Sequence, residues 1–266
     1  MSQELWNRWE GFLGKIGERQ REIFAEAEAG IAELIQAYPD DVMPLGNALS
    51  GLRFRIEELK TKVGDTWDKQ VEPKFSEIGG ELLDRGLDRK EDFLQELSAA
   101  WDLFEARMQA SFYRALEPRA QAAMQKPVPC VGCGGELKVP NRHESHSVKC
   151  PFCNAVNQVM ADTAAALFEG RGHALGQEAA LPIRHEIERF RISVNRWRRA
   201  RNWAPEPIES MDQWLALERK FWETYAEVAG RAVGKSADRE LVESRVNAFM
   251  DLEMRRDQRW RKAKGL

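Results

Sequence analysis

No apolar run in the chain approaches 18 residues, so no membrane-spanning helix is expected. The opening stretch, MSQELWNRWEGFLGKIGERQ, lacks a basic leader, an unbroken apolar segment and a small-residue cleavage site. No signal peptide is therefore predicted. Cysteine is scarce, with four in 266 residues, all between positions 130 and 153. A chain this long can bury a core without a disulfide framework, and the absence of a secretion signal argues against one. Tyrosine is also rare, three residues against nine Trp and twelve Phe. The 19 Gly and 11 Pro gather at a few points, which disfavours a sheet protein with many turns and favours long helices. A net charge of −3 excludes a molecule that binds polyanions over its whole surface. His173 and His185 have no Ser, Cys or carboxylate constellation, and His143-Glu-Ser-His146 is not an HExxH motif and lies on no predicted helix, so no enzyme is expected.

Charge is present in quantity, at 31% of residues, but it is unevenly placed. Residues 1–126 carry 17 Lys/Arg against 24 Asp/Glu, a net −7. Residues 181–203 carry Arg184, Arg189, Arg191, Arg196, Arg198, Arg199 and Arg201 against Glu186 and Glu188, a net +5. Arginines interleaved with Phe190, Trp197 and Trp203 have the composition that grips phosphates and stacks on bases. The acidic first half offers them an internal or inter-subunit partner instead, and that pairing is the first expectation. Nucleic acid is the second, and an acidic membrane surface the third.

Apolar spacing of three and four residues predicts helices through most of the chain. The first spans 2–37 and ends at Pro39-Asp40-Asp41. The second begins near Pro44 with a seam of Leu45, Leu49, Leu52, Ile56, Leu59 and Val63. Pro73 is expected to kink or interrupt it, and Gly79, Gly80 and Gly86 to loosen the stretch beyond. A third starts at Asp88, where Glu91 completes a capping-box pattern, and runs through Trp101, Phe104, Met108 and Phe112 towards 126. Pro118 marks its end or another kink. Helical composition resumes near Asp162, weakened by Gly170, Gly172 and Gly176. A fifth helix is read from Pro182 to Trp203, a sixth from the Ser210–Gln213 capping pattern, and a last after Ser236 or Ala237. Leu5, Trp6, Trp9, Phe12, Leu13 and Ile16 give the first helix a wide apolar face, which suits another helix better than a lipid interface. Ala229 to Ser236 has the outline of a phosphate-binding loop, but Ala229 stands at its first glycine and no strand precedes it. A helix-ending turn is expected there.

Between the helical regions lies Pro129-Cys130-Val-Gly-Cys133-Gly-Gly-Glu-Leu-Lys-Val-Pro140, followed by Val148-Lys-Cys150-Pro-Phe-Cys153. Two CxxC pairs sixteen residues apart can direct four thiolates at one ion. Leu137 and Val139, then Val148 and Val156, alternate with polar residues, so a three-stranded ribbon is expected. Four sulfur ligands close a tetrahedral zinc site, which supplies folding energy and leaves no position for an activated water. Iron in the same S4 set is the alternative, with two disulfides behind it. His143 and His146 lie in the loop between the pairs and are read as an exposed tip rather than as substitute ligands.

Residues 128–158 resemble bacterial zinc ribbons and the plant lesion-simulating-disease type of zinc finger. The likeness rests on the CxxC pairs, Leu137, Val139-Pro140 and Val148 before the second pair, with Asn154 where many ribbons have Gly. It implies one structural zinc held by Cys130, Cys133, Cys150 and Cys153. It implies no particular function, since such ribbons bind proteins or nucleic acids. Val71-Glu72-Pro73 and Leu116-Glu117-Pro118 are similar to the proline punctuation of exchangeable apolipoproteins, which would imply lipid association.

The expected architecture is mainly α, built of long antiparallel helical hairpins with coiled-coil-like packing and a small inserted β ribbon. Its regions are a helical 1–126, the ribbon at 127–158 and a helical 159–266 packed with the first. The expected function is a non-enzymatic cytoplasmic scaffold or adaptor with the ribbon as docking head, taking a protein partner or forming a homo-oligomer. The alternatives are nucleic-acid binding through 184–201 and attachment to a lipid surface.

Overall fold

The computed structural model describes residues 2–200 and 208–264, and the fold is mainly α with a small inserted β module. Helix α1 spans Ser2–Ala37 and α2 spans Met43–Thr66. A π-helical turn, Trp67–Val71, leads into α3, Glu72–Ile78. Helix α4 runs from Gly80 to Gln125, about 69 Å at roughly 1.5 Å per residue. The β module follows as β1 (Val128–Pro129), β2 (Glu136–Leu137), β3 (His146–Lys149) and β4 (Val156–Val159). The chain then continues as α5 (Thr163–Phe168), α6 (Arg171–Ala200), α7 (Ile208–Ala232) and α8 (Arg239–Lys264).

Ion pairs between the helices show their relative directions. Glu10, Glu28 and Asp40 meet Arg89, Arg107 and Arg119, so α1, with the turn after it, and α4 run parallel at a constant offset of 79 residues. Arg114 meets Glu178 while Arg196 meets Asp92, so α6 runs antiparallel to α4. The chain therefore goes out along α4, builds the ribbon and returns along α6. One apolar core joins α1, α2, α4 and α5 around Ile31, Ile56, Trp101, Phe112 and Phe168. A second joins Trp9, Leu13, Val63, Trp67, Phe75 and Phe93 at the far end. A third lies between α6 and α7 around Ile187, Trp214 and Phe221. Trp9, Leu13 and Ile16 are thus buried in the helical core, with Leu5, Trp6 and Phe12 packed against them. Among the described residues, no helix is long and apolar enough to cross a membrane.

Several boundaries differ from those the sequence suggests. Asp88 and Glu91 do not cap a helix, because α4 already begins at Gly80. Gly86 does not loosen α4 either. A Cβ there would stand 2.6 Å from Cδ2 of Phe75 and 2.8 Å from Cη2 of Trp67, so glycine is what lets two buried rings press against the helix. Gly172 and Gly176 likewise face Ala229 and Tyr225 of α7 at close range, and α6 starts eleven residues before Pro182. Pro118 and Pro182 lie inside α4 and α6. Both face solvent, between buried Leu116 and Ala120 and beside buried Ile183. Water can satisfy the carbonyls that a proline leaves without a donor, and the packed face holds the helix together. Pro73 does interrupt the second helix: the turn before it widens to π geometry, with the Glu72 amide reaching the Trp67 carbonyl. Such widening moves the carbonyls away from the proline ring. Helix α7 begins at Ile208, ahead of the Ser210 cap position. Its end is the expected turn, where Lys235 N donates to Gly230 O (2.8 Å) and Gly234 has φ +70°.

Candidate metal centre

The two CxxC segments fold into matching turns. Cys130 N donates to Gly135 O at 2.8 Å, and Cys150 N to Ala155 O at 2.9 Å. Gly134 N returns to Cys130 O, and Asn154 N to Cys150 O. Gly134 has φ +74° and Asn154 has φ +63°. Both turns therefore need a left-handed residue at the same place. Asparagine is among the few non-glycine residues that adopt this conformation readily, which explains Asn154 in a glycine position. In each turn an amide reaches back to the first sulfur, Gly132 N to Cys130 Sγ and Phe152 N to Cys150 Sγ, each at 3.4 Å.

The turns bring the four sulfurs within 4.8 Å of one another, a set that can hold one metal ion. Cys130 Sγ lies 3.6 Å from Cys153 Sγ, and Cys133 Sγ lies 3.7 Å from Cys150 Sγ. A tetrahedron with metal–sulfur bonds of about 2.3 Å has sulfurs about 3.75 Å apart, so the donor set fits. A disulfide needs about 2.05 Å, and all four cysteines are free. Cys130 and Cys150 are buried, while Cys133 and Cys153 face solvent.

The electrostatics point the same way. The Gly132 and Cys133 amides and the Asn157 side chain pull the Cys130 thiol down to about 6, against the opposing effect of burial. At Cys133 the Gly135 amide also pulls downward, but the neighbouring Cys153, Cys150 and Cys130 sulfurs outweigh it and push this thiol up to about 12. One thiolate forms readily, and successive negative sulfurs then repel each other. A cation at their centre removes that conflict.

The residue that sequence reasoning missed is Asn157, which is buried. Its Oδ1 accepts from Val131 N at 2.9 Å, and its Nδ2 donates to Cys130 Sγ at 3.5 Å and to Ala155 O at 3.0 Å. One side chain thus ties the two cysteine turns together. The phase of β4 held the signal: Asn157 and Val159 point inwards, while Val156 and Gln158 point out.

The strands also depart from expectation. They form two separate antiparallel hairpins, β1 with β2 and β3 with β4, rather than one three-stranded sheet. Pairing in the first stops after Val128↔Leu137 and Pro129↔Glu136. Pro129 has no amide to donate and Pro140 follows soon after β2, so the first hairpin has little means to extend. His146 belongs to β3, where its Nε2 lies 3.0 Å from Asn141 Oδ1, and His143 faces Glu169 at 3.5 Å. Neither joins the sulfur set. The ribbon is fastened to the helices at α5. Asp162 caps that helix through Ala164 N and Ala165 N, and its own amide donates to Arg142 O.

The arginines of α6 do not form one shared site. Arg196 clamps α4, with Nη2 at 2.9 Å from Asp92 Oδ1 and 2.6 Å from Asp88 O. Arg184 meets Glu218 of α7 at 3.2 Å and lies over the Phe221 ring, while Arg191 meets Glu188 on its own helix. Arg189 borders a small cavity with His185, Asp92 and Glu96. The side chains of Arg198 and Arg199, and all of Arg201, lie outside the described residues. No family model, curated protein or solved structure matches the chain.

Proposed function

We propose that the protein is a non-enzymatic scaffold or adaptor in which a zinc-clipped ribbon, carried at the turn of a helical hairpin, docks a protein partner. The observation that carries this reading is the ribbon's surface. Val131, Phe152, Val156 and Met160 are 89%, 72%, 64% and 72% exposed, a concentration of large apolar side chains in a module of about thirty residues. Exposed apolar surface of this kind marks interaction sites. Phe152 and Val131 project from the two cysteine turns, so the clip that fixes the turns also fixes these side chains.

Zinc fits this role better than iron. Four thiolates complete its coordination and leave it no catalytic position. It undergoes no redox change at a site where two of the sulfurs face solvent. Four unbridged cysteines support a reducing, cytosolic setting. The alternative readings have less support: three of the α6 arginines are ion-paired within the chain, and the apolar face of α1 is packed against other helices.

The test is a double substitution, Val131→Ser with Phe152→Ser, in the full chain. Zinc content and helicity are expected to persist while a co-purifying partner is lost. An unchanged set of co-purifying proteins, with the ribbon intact, would overturn the docking role.

A further inference from the structure

We propose that the cavity where the ribbon meets the helices binds a small polyphosphate of nucleotide size. This cavity lies apart from the exposed apolar residues and the inference does not rest on the docking role. Its volume is about 530 Å³, within the range of about 300–1,000 Å³ that small-molecule sites occupy. Four cations line it: Lys126 after α4, Lys138 after β2, Arg142 in the following loop and Arg171 at the start of α6. Two carboxylates, Glu136 and Glu169, share the lining, and Glu169 is turned towards His143. The walls include the apolar Val128, Val139 and Pro140.

Among the described residues, no carboxylate pairs with any of the four cations. Arg171 is held rigidly by carbonyls, with Nε donating to Ala232 O (2.7 Å) and Nη1 to Phe168 O (3.0 Å), while its guanidinium lies 3.9 Å from the centre of the Phe168 ring. These contacts fix its position without an ion pair among the described residues. Lys126, Lys138 and Arg142 have no ion pair among the described residues, and the Arg142 Nε is buried without a hydrogen-bond partner. A buried Nε without an acceptor is unusual, since buried polar atoms are normally satisfied. Its backbone is nevertheless anchored, through the Arg142 carbonyl that accepts from Asp162 N. Four cations without ion pairs among the described residues, brought from three segments of the chain against two carboxylates in one space with partly apolar walls, match several linked phosphates on a compact body. A fork of guanidinium donors suits phosphate oxygens in particular.

The experiment titrates the full-length, zinc-loaded protein with inorganic phosphate, pyrophosphate and ATP at low salt, monitored by calorimetry. Zinc content is measured afterwards, because polyphosphates themselves take up zinc. Pyrophosphate and ATP are expected to bind more tightly than phosphate, and added salt to weaken both. Arg142→Gln and Lys138→Gln should each weaken ATP binding by about tenfold or more, with zinc and helicity unchanged. Lys149→Gln, exposed on β3 and outside the cavity, should leave binding as it was. The proposal is overturned if neither ATP nor pyrophosphate binds, or if the Arg142 and Lys138 variants bind ATP as the parent does. It is equally overturned if a single-stranded oligonucleotide binds and ATP does not.

Discussion

At the metal centre, Asn157 holds what the cysteines alone do not. It bonds to a sulfur of the first turn, to the backbone of the first turn and to the backbone of the second. Partners behind a ligand typically tune metal affinity by about 10–100-fold. Asn157→Ala is therefore expected to lower zinc affinity by that order, as read by competition with a chromophoric chelator, without changing the four-sulfur ligand set. Glu218 is a second residue whose surroundings decide its behaviour. Burial raises its carboxyl above the usual range, and Arg184 only partly opposes this. The native state thus holds this proton more tightly than the unfolded chain does. Stability from this group rises as pH falls through the raised value and is lost as pH climbs above it. Glu218→Gln removes the titration while keeping the shape. Thermal unfolding should show the variant melting higher than the parent near neutral pH, with the gap closing as pH falls into the ordinary carboxylate range.

At the scale of the helices, glycine and proline mean different things in different places. Gly30 lies on an exposed face of α1 with open space around it, whereas Gly86 lies under Phe75 and Trp67. Gly30→Ala should stabilise by about 0.5–1 kcal/mol, through helix propensity and a less flexible unfolded chain. Gly86→Ala should destabilise by about 1–3 kcal/mol, because two buried rings must move. Urea unfolding of both variants checks the pair, and the opposite signs carry the test. Nothing in the adjoining sequence marks Gly86 as a contact position and Gly30 as a free one. Only the neighbouring helix distinguishes them. The prolines repeat the lesson: Pro118 and Pro182 are carried within helices on solvent-facing sides, whereas Pro73 follows a turn that has widened.

For the molecule as a whole, the ribbon and the helices draw stability from different sources. The ribbon's buried apolar cluster is Cys130, Leu137, Cys150 and Val159, so two of its four members belong to the sulfur set that can hold a metal ion. The helical cores contain large buried residues such as Trp9, Ile56, Leu97 and Phe112, remote from the sulfurs. Chelation should therefore unfold the ribbon and leave the helices. Amide signals of residues 128–160 should collapse in a nuclear magnetic resonance spectrum, while far-ultraviolet dichroism keeps most of its helical signal. A global loss of helicity would mean that the helices depend on the metal.

The sequence by itself determined the helical class, the extent of α1 and the four cysteines that can hold a metal ion. Periodicity and CxxC spacing are local features, and local geometry turns them directly into helices and tight cysteine turns. Tertiary structure decided the parallel course of α1 and α4, the return of α6 along α4, the division of the ribbon into two hairpins and the burial of Asn157. Each of these depends on contacts between residues far apart in the chain, such as Glu10 with Arg89, Asp92 with Arg196 and Val131 with Asn157. A constant offset of 79 residues between paired charges has no local signature, because nothing near Glu10 specifies that its partner is Arg89. Packing fixes which of many compatible charges meet.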